Sequence, residues 1–446
     1  MSKFAVRAEL FRAEPPINPK DVKALFCGRD MELRRGIETL KASFDISGKK
    51  SRQGDKWPWV IHGESRSGKS HLARRIIAEF PPGRKRIQFL VTAKERLEAM
   101  TVMRRLFEHL EGEFSSRIAD ARLEENLFQR PRVQWVRQLI EKIALFEPDV
   151  QTVTLTTEQS NLRSSGIGAE LNAAPLLSKF IARRQTEAME NNALQLNLRP
   201  PTPDSLAEVC GVMVETLLTL GLINHALILV DDVDLLETYK SPTENSQRER
   251  SVLAMALDDL HGAPGVDVIL TARSWYVHSN KDLMQLVDLS LSDPMSPDEM
   301  TAIHNTRLKV YGKNRAPFLR EDALRSLAGD VDGLPGVFLQ HLDTAFYQFQ
   351  NEASDDARDF HWLIEVFRQR IAKFTDRCGP AVEEINQAIA NNRLSIDVAL
   401  HNPFFGTVLD NEFVFQSYWS EHSYFISGFT RRILSTPESI PGTEQP

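Results

Sequence analysis

Eight consecutive residues, Gly63-Glu64-Ser65-Arg66-Ser67-Gly68-Lys69-Ser70, carry the spacing Gly-x-x-x-x-Gly-Lys-Ser directly after the apolar run Trp59-Val60-Ile61. The chemistry of that spacing is phosphate binding. Glycines let the backbone curl so that successive N–H groups converge on an anion. Lys69 has the reach for the β- and γ-phosphates, and the Ser70 hydroxyl can sit on Mg²⁺. His71 and the residues to 77 read as a helix, whose positive N-terminus faces the same phosphates. The motif therefore predicts a P-loop that takes a nucleoside triphosphate with its magnesium ion.

A P-loop needs an acid for the metal. Ala226-Leu227-Ile228-Leu229-Val230 ends in Asp231-Asp232. An all-apolar run suits a strand buried on both faces of a parallel sheet, and ligands bind at the carboxyl ends of such strands. Asp231 is the expected Mg²⁺ partner beside Ser70. Asp232 is placed to orient or deprotonate the attacking water, and Asp234 reads as a helix N-terminal residue. The next run, Val266-Asp267-Val268-Ile269-Leu270, leads into Thr271-Ala272-Arg273. Arg273 at that tip would neutralise charge developing on the γ-phosphate. Lys69, Asp231, Asp232 and Arg273 are thus the expected catalytic set. Residues 86–91 and 286–291 bring the strand count to five. Strands interleaved with helical stretches predict a doubly wound parallel α/β fold.

Composition agrees with a globular chain. The 446 residues are 42% hydrophobic and 26% charged, and the net charge is −7. That length predicts two or three domains. No run approaches the roughly 20 apolar residues that span a bilayer, so no membrane partner is expected. The three cysteines, Cys27, Cys210 and Cys378, are far apart, which argues against a disulfide framework or zinc site and fits a reducing cytoplasm. The acidic balance disfavours a protein that holds nucleic acid mainly through phosphate neutralisation. Basic stretches at 41–56 and Arg84-Lys85-Arg86 are read as a solvated face near the nucleotide site.

Upstream of the loop stands Phe26-Cys27-Gly28-Arg29-Asp30-Met31-Glu32-Leu33. It resembles the F-x-G-R-E-x-E-L box that opens two related ATPase groups, the origin-initiator AAA+ ATPases and the STAND signalling ATPases; Asp30 replaces the usual Glu. The resemblance implies that Phe26, Gly28 and Arg29 lie near adenine, hence ATP as the nucleotide. Ser296, Pro297 and Glu299 spell a helix start with a capping box. The helical stretches that follow resemble the small lid of the same groups. In STAND proteins a G-x-P motif sets its proline against the base, which makes Pro335 of Gly333-Leu334-Pro335 a candidate contact. Residues 336–340 lack the arginine usual in initiator lids, and Thr271-Ala272-Arg273 resembles the STAND sensor, so the likeness leans to STAND.

The sequence divides into an extension (1–24), the ATPase core (25–292) with an insertion at about 94–205, a helical lid (293–352), a small α+β domain (353–434) and a tail (435–446) expected to be disordered. The insertion reads as helical, with a β-hairpin arm from 152–156 and 193–198. In the α+β domain, an amphipathic helix over 360–374, a helix over 380–393 and a hairpin at 412–416 and 423–427 suggest a winged helix. The resemblance implies a regulatory switch ATPase acting through a protein effector or by self-oligomerisation, in prokaryotic signalling or anti-phage defence. The alternative is a DNA-binding AAA+-like ATPase of initiator or transposition-helper type.

Overall fold

The computed structural model of the chain describes residues 10–14, 16–47, 59–83, 85–92, 98–121, 127, 130–144, 201–235, 244–279, 287–312, 317–352, 356–378, 394–395, 414–416 and 423–435. Five parallel strands form the central sheet. They are β1 (Trp59–Gly63), β2 (Arg86–Thr92), β3 (His225–Asp231), β4 (Val266–Arg273) and β5 (Val287–Leu291), in the order β2-β3-β4-β1-β5. The phosphate-loop strand β1 is therefore separated from the acid-bearing β3 by β4.

The reason for an all-apolar β3 is visible in its neighbours. Leu227 and Leu229 pack with Leu72 and Ile76 on one face; Ala226, Ile228 and Val230 pack with Met103, Leu106 and Met213 on the other. The first face is covered by α2 (Asp30–Ser47) and α3 (Lys69–Ala78). The second is covered by α4 (Ala99–Asp120), α5 (Pro131–Ala144), α6 (Pro203–Thr219) and α7 (Glu244–His261). Short α1 (Pro19–Leu25) lies against α3, and α8 (Ser274–Ser279) follows β4 directly. The fold is a doubly wound parallel α/β sheet, as the strand pattern predicts.

α4 falls inside the stretch read as an insertion, yet Val102, Met103, Leu106 and Leu110 are part of the sheet's own core. A parallel β2–β3 connection needs a crossover that covers the sheet, and α4 contributes to that layer. The 152–156 and 193–198 arm, the 380–393 helix and residues 436–446 lie outside the described residues. Ser435, read as the start of the tail, ends a helix instead.

After the sheet come α9 (Pro297–Tyr311), α10 (Glu321–Asp330) and α11 (Pro335–Gln350). Ser296 and Glu299 close the capping box foreseen for α9. These helices share one core with α12 (Phe360–Cys378) and α13 (Gly428–Ser435), through Leu324, Phe338, Leu342, Leu363, Phe367, Phe429 and Ile433. Leu10 and Phe11, from the start of the chain, are fully buried in the same core. A three-stranded antiparallel sheet, β6 (Leu394–Ser395), β7 (Val414–Gln416) and β8 (Ser423–Ile426), has the order β6-β8-β7. Among the described residues, no helix is long and apolar enough to cross a membrane.

Lys85 and Arg86 of the basic run are not near the phosphate loop. Arg86 opens β2, at the amino edge of a parallel sheet whose carboxyl edge carries Gly63. Its guanidinium lies 5.2 Å from the Phe44 ring centre and 5.6 Å from that of Phe80. There it covers aromatic surface at the base of the sheet.

Candidate functional site

All the sheet's strands are parallel, so the loops after β1, β3 and β4 open on one edge. Register decides what meets there. Gly63 stands opposite Arg273 on β4 and Leu291 on β5. Val230 stands opposite Leu270, which brings Asp231 level with Thr271.

The loop is shaped by its backbone. A side chain at Gly63 would sit 2.9 Å from Ser67 Oγ and 3.0 Å from the Leu291 carbonyl oxygen, so only glycine fits. Arg66 (φ 67°) and Gly68 (φ 94°) adopt left-handed conformations that curl the chain into α3. Ser67 N–H donates to the Glu64 carbonyl at 3.3 Å, and Leu72 N–H to that of Gly68 at 2.9 Å. Ser65 and Ser70 complete the loop, and the first helical N–H groups face its mouth. Lys69 is 6% exposed. Its Nζ donates to the carbonyls of Glu64 at 2.6 Å and Gly63 at 3.4 Å. Burial holds this ammonium below its ordinary pKa, opposed by the charges of Asp234 and Asp232.

The three aspartates after β3 do different things. Asp231 Oδ1 accepts from the Thr271 hydroxyl at 2.5 Å, and Oδ2 faces Arg74 Nη2 at 3.5 Å. Asp232 takes a left-handed backbone (φ 58°), and its N–H donates to the same Thr271 Oγ at 2.8 Å. Its carboxylate makes no hydrogen bond or ion pair among the described residues. Burial, then the charges of Asp231 and Asp234, push that carboxyl up to about 7. Asp234, read from the sequence as a helix N-terminal residue, lies in the first turn of a short 3-10 helix, Val233–Leu235. It accepts from the Arg273 N–H at 3.2 Å and pairs with Arg273 Nε at 3.4 Å.

The lid touches the loop directly. Gly336 N–H donates to the Arg66 carbonyl at 2.9 Å. Pro335 Cγ lies 3.5 Å from where a side chain on Gly68 would begin. Asp332 (φ 53°) and Gly333 (φ 70°) make the sharp turn that delivers Pro335 and Gly336 there. The N-terminal box is on the same side. Phe26 meets the His71 ring edge-on at 5.4 Å, with Arg75 5.8 Å over its face. Burial, then the Arg307 charge, holds His71 at about 4, so its imidazole is neutral. A side chain on Gly28 (φ 75°) would collide with Met295 of the lid. Arg29 (φ 60°), just before α2, bonds Glu32 of that helix at 3.1 Å.

The structure thus gathers Gly63–His71, Phe26, Gly28, Asp231, Asp232, Arg273 and Pro335 around one edge. Sequence reasoning missed Arg74, Gly336 and Arg307 and undervalued Thr271 and Asp234. Arg74 had a signal: it lies one turn after Ser70, on the same helix face. Among the described residues, no three His, Cys, Asp or Glu side chains are gathered to hold an ion unaided. Magnesium needs no such cage, since it is held by one or two protein oxygens together with substrate phosphates. The Ser70 hydroxyl and Asp231 supply hard oxygen donors of that kind.

No family model matches the chain, and no curated protein sequence matches it. Among solved structures, it is similar to Caenorhabditis elegans PCH-2 (TM-score 0.40, 9% identity, 80% of this chain and 74% of that one). It is also similar to Cdc6p from Pyrobaculum aerophilum (TM-score 0.39, 12% identity, 96% and 97%). A third is the ADP form of the Aeropyrum pernix ORC2 protein (TM-score 0.39, 14% identity, 76% and 70%). At these scores the likenesses carry no argument about function, which rests on the site itself.

Proposed function

We propose that this chain binds and hydrolyses ATP with Mg²⁺, and that the lid turns the state of the nucleotide into a change of shape. The observation that carries this reading is the meeting of three segments remote in sequence: the phosphate loop, the Asp231–Asp232 pair and the Pro335–Gly336 turn. Lys69 and the loop N–H groups would bind the β- and γ-phosphates. Ser70 and Asp231 would hold Mg²⁺, which supplies charge neutralisation across those phosphates when bound. Asp232, the acid without an ion pair among the described residues, would accept a proton from the attacking water or orient it. Arg273 would meet the charge that builds on the γ-phosphate.

Coupling to shape is supported by the Gly336-to-Arg66 hydrogen bond, because any movement of the loop on phosphate pulls on α11. A regulatory switch of the STAND or AAA+ kind, working through an effector protein or a second copy of the chain in signalling or anti-phage defence, is the role that the sequence resemblance favours. The test is ATP binding and turnover with Lys69→Ala and Asp232→Asn, with co-purifying molecules identified from native cells. Lys69→Ala should lose binding. Asp232→Asn should bind ATP and hydrolyse it slowly. Tight binding and full turnover in Lys69→Ala would overturn the site. A co-purifying effector or an ATP-locked oligomer supports the switch; recovery of DNA alone at physiological salt would replace it with the nucleic-acid reading.

A further inference from the structure

Among the described residues, three aspartates within four residues meet two arginines, and the pairing is selective. Arg74 goes to Asp231 and Arg273 goes to Asp234, while Asp232 has no ion pair among the described residues. Asp234 is 1% exposed and grips Arg273 twice. One carboxylate oxygen accepts the backbone N–H at 3.2 Å; the other faces Nε at 3.4 Å. A side chain held at its backbone and again at Nε loses most of its rotamer freedom. Register meanwhile fixes Arg273 opposite Gly63, where the phosphate loop begins.

Building on the ATPase reading, we propose that Asp234 is the positioning residue for Arg273: it holds the guanidinium at the phosphate edge and keeps it from pairing with Asp232. The energetic argument is competition. Breaking a buried ion pair by removing one partner is costly, and Asp232 is the alternative carboxylate, two residues away. If Asp234 lets go, the arginine closes on Asp232. One change then removes both the γ-phosphate contact and the proton acceptor. The Lys69 ammonium is sensitive to the same group, since Asp234 is the largest charge opposing the effect of its burial.

Asp234→Asn tests this, because the amide keeps an acceptor for the Arg273 N–H and removes the charge. Steady-state ATP hydrolysis, and the binding of ADP and of a non-hydrolysable ATP analogue, are compared in the wild type, D234N, D234E, R273A and D234N/R273A, each checked for a native melting curve. The expected result is a fall in kcat of roughly 100-fold in D234N, the size a misplaced catalytic group gives, with ADP affinity within about twofold. D234E should recover part of kcat. The double variant should be no slower than R273A, because Asp234 acts through Arg273. An unchanged kcat in a folded D234N would overturn the proposal, and so would additive losses in the double variant. If the wild type shows no turnover dependent on Lys69, it is the ATPase reading that fails. Should D234N not fold, D234E alone decides, by whether kcat falls while ADP affinity stays.

Discussion

One hydroxyl organises the acids. Thr271 Oγ donates to Asp231 and accepts from the Asp232 N–H, so it sets a side chain and a backbone at once. Thr271 is fully buried, and leaving its partners unpaired costs about 1–3 kcal/mol. Thr271→Ala should therefore lower kcat, and a positioning loss of about 1–2 kcal/mol corresponds to about 5–30-fold. Thr271→Ser, which keeps the hydroxyl, should restore most of the rate. Equally reduced rates in both variants would show that the methyl group matters and the hydroxyl does not. The left-handed backbone at Asp232 also guides the choice of test. Asp and Asn tolerate positive φ better than other side chains, so Asp232→Asn removes the acid with little added strain.

At the scale of elements, the contact between α11 and the loop is the joint to probe. A side chain on Gly336 would begin 2.8 Å from Arg66 Cβ and 3.0 Å from its carbonyl oxygen. Gly336→Val must push the helix start away. Overpacking of this kind costs about 1–3 kcal/mol. If that falls wholly on the closed arrangement, ATP affinity drops by about 5–150-fold, readable by titration calorimetry. Thermal stability of the sheet should barely move, because Gly336 faces the loop and not the sheet. Unaltered ATP affinity would detach the lid from nucleotide binding. The acidic turn before α11 has a second attachment: Asp332 accepts from Gly428 N–H at 2.8 Å and pairs with Arg431 at 3.1 Å, while Asp330 pairs with Arg432 at 2.7 Å. α13 thus grips the same turn that reaches the loop.

Across the whole molecule, the first described residues tie the lid to the core. Phe11 stacks on His304 at 5.5 Å and meets Phe346 at 5.5 Å. The carbonyl of Arg12 accepts from buried Arg307 at 2.9 Å, and that of Pro16 from Arg74 of α3 at 3.3 Å. Phe11→Ala should destabilise the protein by about 3–5 kcal/mol, the usual cost of deleting a buried ring, measured by denaturant unfolding. The lid core also predicts a pH response. Burial, then the Arg370 charge, holds His341 at about 3, and burial lowers His304 as well. Unfolded, each titrates near 6.5. For His341, stability is then complete above about pH 6.5 and falls toward pH 3, by up to about 1.4 kcal/mol per pH unit; His304, lowered in the same direction, adds to the loss as pH falls below its unfolded value. His341→Phe should flatten that slope in denaturant titrations run from pH 7 to 4. A slope unchanged from the wild type would mean that His341 is not held neutral.

The phosphate loop was legible because its chemistry is local: eight residues fix the curl, the lysine and the helix start without help from the rest of the chain. The acid pair was legible for a similar reason, since a strand buried on both faces must be apolar until it surfaces, and its first polar residues mark the edge. The capping box of Ser296 and Glu299 is local too. What the sequence alone could not decide is which of these neighbours meet. The place of β4 between β1 and β3 depends on sheet order, and only that order brings Thr271 to Asp231 and Arg273 to Gly63. Arg74, Asp234 and Arg307 are ordinary charged residues until burial removes water and forces each to find a partner. Gly336 looks like a turn glycine until Arg66, 270 positions earlier, occupies the space a side chain would need. Spacing along the chain determined the ligand chemistry, and packing across it decided how each charged group is held.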